Sequence, residues 1–75
     1  METIQLGKYK HYKGNHYEVI GTAIHSETLE IMVLYKALYD SHSHPAGTIW
    51  VRSLKMFSET VLVDGEEVNR FDFIG

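Results

Sequence analysis

Cysteine is absent from the 75 residues, which excludes a disulfide framework and any Cys-based zinc module and fits a reducing cytoplasm. No apolar run approaches the roughly 18 residues a membrane span requires. Met1 to Leu6 carries an acid, Glu2, where a signal peptide would be basic and then apolar. We therefore expect a cytoplasmic protein with no membrane partner. Proline occurs once, and no repeat, linker or low-complexity segment interrupts the chain. Catalytic signatures are missing too. Ser26, Ser43 and Ser58 stand in no Gly-x-Ser-x-Gly elbow, and no Gly-rich loop could cradle a phosphate. A chain this short also has little material for a water-excluding cleft, so an enzyme is not expected and no cofactor is implied.

What is present suits one small globular domain spanning residues 1–75. Hydrophobic residues make up 44%, including five Tyr, three Phe and one Trp, ample for a core although a domain of this size buries only about 60% of its unfolded surface. It should fold alone as a monomer or as a small homo-oligomer. The net charge of −3 conceals an asymmetry. Lys8, Lys10, His11, Lys13 and His16 make the start basic, whereas Glu59, Asp64, Glu66, Glu67 and Asp72 make the last third acidic. A basic edge attracts anions, yet an acidic domain is a poor general binder of nucleic acid.

Apolar alternation with a period of two dominates the chain. Residues 8–13 read as a strand with Tyr9 and His11 on one face and Lys8, Lys10 and Tyr12 on the other. Gly14-Asn15 supplies a tight turn. Residues 16–25 form a long strand, with Tyr17, Val19, Gly21, Ala23 and His25 sharing a face and Gly21 marking a bulge or bend. Residues 30–39 could also suit a helix by propensity, but only Glu30 and Lys36 are charged, too little for a polar helical stripe, so a strand is preferred.

Asp40 to Gly47 is rich in turn formers and reads as an exposed, mobile loop. A short strand follows from Thr48 to Ser53, then one 3₁₀ turn over Leu54–Phe57, then strands around the Asp64-Gly65 hairpin. The alternating tail Phe71–Ile74 should pair at an edge or cover an open end. The expected core holds Val19, Val33, Ile49, Val51, Leu54 and Phe57. Together these runs describe an all-β fold, a small SH3-like barrel of about five strands; a split sandwich is the structural alternative.

Several blocks in order carry a family resemblance. They are Tyr9-x-His11-Tyr12-Lys13-Gly14-Asn15-x-Tyr17-Glu18-Val19, Ala23-x-His25-Ser26-Glu27-Thr28, Val33-x-Tyr35-x-Ala37-Leu38-Tyr39, Trp50-Val51-Arg52 and Met56-Phe57-x-Glu59-Thr60-Val61. Over residues 8–75 the chain resembles a short bacterial family known only as domain of unknown function sixteen fifty-three. Ser53, where similar sequences would have proline, and a longer His-rich loop are its departures. The resemblance implies an all-β barrel in a bacterial or phage protein and brings no catalytic residues with it.

The chemistry-bearing residues fall into two groups. His42-Ser-His44 has a spacing at which both rings reach one ion, but no Asp or Cys stands close and a third ligand would have to come from elsewhere, so no metal site is expected. His11 and His25, with Glu59, would make an acid-base site only if they converged in a pocket. The better candidate is an aromatic-basic face made by Tyr9, His11, Tyr12, Lys13, His25, Tyr35, Trp50 and Arg52. Tyr12, Trp50 and Arg52 alternate with the expected core residues and so should stand toward solvent, in the residue types enriched at binding hot spots. Two readings stay open: a non-enzymatic module that recognises a peptide or protein, and a nucleic-acid module in which Lys8, Lys10, Lys13 and Arg52 meet phosphates while Tyr12 and Trp50 stack on bases.

Overall fold

The computed structural model describes residues 4–75; Met1–Thr3, part of the stretch read above for a leader signal, lie outside the described residues. Seven strands and one helical turn are present among them: β1 (Gly7–His11), β2 (His16–Ile24), β3 (Ile31–Ala37), β4 (Ile49–Ser53), α1 (Leu54–Phe57), β5 (Thr60–Val63), β6 (Glu66–Asn69) and β7 (Phe71–Phe73). The two turn signals act as their chemistry dictates. Gly14 takes φ 105° and lets β1 fold back antiparallel on β2 with Tyr9 opposite Tyr17. Asp64 and Gly65 take φ 51° and 82°, so both central residues of the β5–β6 hairpin are left-handed, the type I′ geometry whose twist matches a two-stranded ribbon.

The fold is all-β. Strands run in the order β4-β3-β2-β1-β7 in one antiparallel sheet, with β5-β6 as a separate ribbon. The tail does pair at an edge, as β7 on β1. The sheet is open, and β4 and β7 form its two edges, so the closure implied by an SH3-like barrel is not clearly made. The tight Asp64-Gly65 turn explains this, because it commits β5 and β6 to each other's hydrogen bonds and leaves neither to bridge the edges. The expected 3₁₀ turn is α-helical instead. The Ser58 N–H donates to Leu54 O at 3.0 Å, four residues back, and the buried Ser53 caps the turn by accepting the Met56 N–H at Oγ, 3.2 Å away.

Tyr9, Val19, Val33, Tyr35, Leu54, Phe57 and Phe71 form the core, with Ile4, Tyr17 and Ile31 packed against it. Two expected members are not there. Ile49 and Val51 are 56% and 55% exposed, because β4 pairs Trp50 with Tyr35 and Arg52 with Val33 and so sets Trp50 and Arg52 on the core side. At a sheet edge a large amphipathic side chain can cover the core's rim while its polar end stays wet. The bulge falls where Gly21 announced it, between Val19 and Gly21. It reverses the expected alternation beyond that point: Thr22 and Ile24 now lie opposite Val33 and Ile31, and Ala23 faces the other way. No helix among the described residues is long and apolar enough to cross a membrane.

Candidate functional site

At the end of the sheet where β1 turns into β2, the aromatic side chains of four elements meet. Tyr17 sits opposite Tyr9 and Ala37 in the ladder, and its ring is edge-on to Tyr35, Tyr39 and Phe71 at 5.3, 5.5 and 5.7 Å. The Tyr17 and Tyr39 hydroxyls share a hydrogen bond of 2.6 Å. Burial and that bond push the Tyr17 phenol well above its ordinary pKa of 10.0. His11 lies opposite Phe71 and packs edge-on against it at 4.9 Å, with Tyr12 tilted over its other side at 4.5 Å. Its Nδ1 accepts the Lys13 backbone N–H at 3.2 Å.

The field at this end is positive. Loss of water first, then the charges of Arg70, Arg52 and Lys13, hold the His11 ring below its ordinary 6.5. Lys13 Nζ lies 5.8 Å from the Tyr12 ring centre. Arg52 Nε donates to the Tyr35 hydroxyl at 3.4 Å, and no carboxylate among the described residues forms an ion pair with it. Arg70 has only Glu59, at 3.9 Å, and its buried Nε has no partner. Beside His11 an open groove of about 280 Å³ runs between Lys10 and Tyr12 on one wall and Val63, Val68 and Asp72 on the other.

The eight residues singled out in the sequence divide. Tyr9 is a core strut, buried, donating its hydroxyl hydrogen to Gln5 O at 2.7 Å and edge-on to Phe57 and Phe73. Tyr35 is likewise buried, with its hydroxyl turned to Arg52. His11, Tyr12 and Lys13 are brought together at the turn, with Arg52 in electrostatic reach of His11. Trp50, 37% exposed, stands on the core-side rim, not on the opposite face, and is packed edge-on by His44 at 4.8 Å. His25 belongs elsewhere. It follows the far end of the nine-residue β2, roughly 30 Å of strand from the turn, where its Nδ1 accepts the Glu27 and Thr28 N–H groups at 3.1 and 3.3 Å. His11, His25 and Glu59 therefore do not converge. Nor do His42 and His44 gain a third ligand: no metal-binding group of three His, Cys, Asp or Glu occurs among the described residues.

Tyr17 and Arg70 escaped the sequence reading. The Gly14-Asn15 turn contained a signal for Tyr17, since the hairpin register that puts Tyr9 inward puts Tyr17 beside it. Arg70 follows from the β7 pairing on β1, which was foreseen, and from its backbone carbonyl accepting the Tyr12 N–H at 3.0 Å, which was not.

Comparison with known proteins is informative about kinship and silent about activity. The family profile described as "Protein of unknown function (DUF1653)" matches residues 7–73. The crystal structure of a DUF1653 protein from Bordetella bronchiseptica is similar to this chain with a TM-score of 0.84 and 36% identity, over 96% of this chain and 88% of that one. No curated protein is significantly similar.

Proposed function

We propose, from the premise that this chain belongs to the DUF1653 family of proteins of unknown function, that it is a small non-enzymatic binding module recognising a peptide or protein through the aromatic-basic end of its sheet. The observation that carries the reading is the cluster of His11, Tyr12, Lys13 and Arg52 beside an open groove, with Tyr12 38% exposed and Arg52 paired with no carboxylate among the described residues. Aromatic rings and guanidinium groups offer broad rigid contact at small entropic loss, the chemistry of a binding hot spot. A bacterial, cytoplasmic setting is part of this reading, supported by the Bordetella relative and by a cysteine-free sequence. Nucleic-acid binding is less well supported: Lys8 and Lys10 alternate with the inward-facing Tyr9 and so lie across the sheet from Arg52, which leaves no continuous cationic track for a phosphate backbone.

Selection from a random peptide phage library on the immobilised full chain tests the proposal. Sequences enriched on the wild type should be lost on the Tyr12→Ala, Trp50→Ala double variant, provided its circular dichroism is unchanged. No enrichment on the wild type, or equal enrichment on a folded double variant, would sink it.

A further inference from the structure

We infer that the site recognises a carboxylate of its peptide ligand, held between the Arg52 and Arg70 side chains beside His11. This rests on the binding-module reading and names the group that anchors the ligand. The geometry has three parts. Arg52 is oriented by the Tyr35 hydroxyl through Nε at 3.4 Å, which leaves the two terminal nitrogens of its planar fork as further donors. Arg70 is mostly buried, only weakly engaged by Glu59 at 3.9 Å, and retains an unpartnered Nε. Lys13 overlies Tyr12 at the same end.

Buried or half-buried cations are normally paired, since desolvating a charge without a partner is costly. Here the charges that reach His11 are Arg70, Arg52 and Lys13, and the groups packed on its ring are Tyr12, Tyr17 and Phe71, which supply no negative charge. An anion is the missing partner. Guanidinium groups bind carboxylates through two parallel hydrogen bonds. A phosphodiester chain would demand several further cations in line, and Lys8 and Lys10 lie on the other side of the sheet.

The probe is sodium acetate, added to the isotopically labelled full chain and compared with sodium chloride at equal ionic strength. Acetate should give saturable shifts at the His11, Tyr12 and Arg70 amides and at Arg52 Nε–H. It should also raise the His11 pKa toward its ordinary value, because a negative charge offsets the cations that lower it. Arg52→Gln should weaken acetate binding about tenfold or more, the loss of a charge-assisted bond. Arg52→Lys, which keeps charge but not the fork, serves the same purpose if the first variant unfolds. Shifts matching those of chloride, an unmoved His11 titration, or undiminished binding in a folded Arg52 variant would overturn the inference. So would inorganic phosphate saturating the site where acetate does not. With phage-selected peptides, C-terminal amidation and Asp/Glu to Asn/Gln exchange tell a terminal carboxylate from a side-chain one. If acetate fails while peptides still need Tyr12 and Trp50, the carboxylate falls and the binding module stands. If acetate saturates and no peptide is selected, the carboxylate site stands and peptide recognition falls.

Discussion

Replacing Phe57 with alanine tests the packing on which the sheet's core side depends. Phe57 is 2% exposed and lies parallel to Phe71, ring centres 4.1 Å apart and planes 4° from coplanar, while Tyr9 and Tyr35 meet it edge-on, each at 5.4 Å. Truncation loses the transfer free energy of the ring and leaves a cavity that four-residue α1 can fill only by shifting, which together cost about 3–5 kcal/mol. At about 0.05–0.15 kcal/mol per residue, the whole domain has on the order of 4–11 kcal/mol to lose. The variant should therefore stand near its unfolding transition at room temperature. Phe57→Leu keeps most of the volume and loses only the stacking geometry, so it should cost roughly 1–2 kcal/mol. Urea melts followed by far-ultraviolet circular dichroism measure both. A loss under about 1 kcal/mol for Phe57→Ala would refute the idea that this ring is packed by three others.

Gly65→Ala should cost about 1 kcal/mol or more in the same melts, because φ is 82° and the added methyl meets nothing within 4 Å, so the penalty is purely conformational; Gly21→Ala, with open space and no left-handed φ, should be close to neutral, and equal losses at the two glycines would contradict the backbone argument. Val33→Thr buries a hydroxyl at a fully enclosed position and should cost about 1–3 kcal/mol, whereas Val51→Thr on the exposed side of β4 should stay within about 0.5 kcal/mol; a reversed order would restore Val51 to the core. Near-ultraviolet absorbance should show one tyrosine ionising well above the ordinary 10.0, absent in Tyr17→Phe. With the folded value raised, the folded state holds that proton longer. The contribution to stability is therefore full below about pH 10 and declines as pH rises beyond it, and a pH-independent stability in that range would argue against a buried Tyr17 hydroxyl.

What could be read ahead of the structure was whatever local chemistry decides. Gly14-Asn15, Asp64-Gly65 and the alternation of Phe71 and Phe73 settle turns and pairings within a few residues, and each is found in place. Facing is different, because a strand's period of two gives two answers related by one residue, and only its neighbours choose. β4 shows the limit. Ile49 and Val51 look like core from hydrophobicity alone, but the ladder with β3 aligns Trp50 with Tyr35 and Arg52 with Val33, and an edge strand exposes the apolar pair at modest cost. The bulge after Val19 repeats the lesson inside β2, where a visible Gly21 predicts that parity will change but not which residues the change brings inward. The candidate site inherits both ambiguities. His11, Tyr12 and Lys13 are neighbours in sequence and were legible together; Arg52 reaches them only because its strand faces opposite to hydrophobic expectation, and Arg70 only because the tail returns to β1. A site built from a turn is thus readable in its local half, and its long-range cations depend on strand parity that hydrophobic pattern does not determine at an open edge.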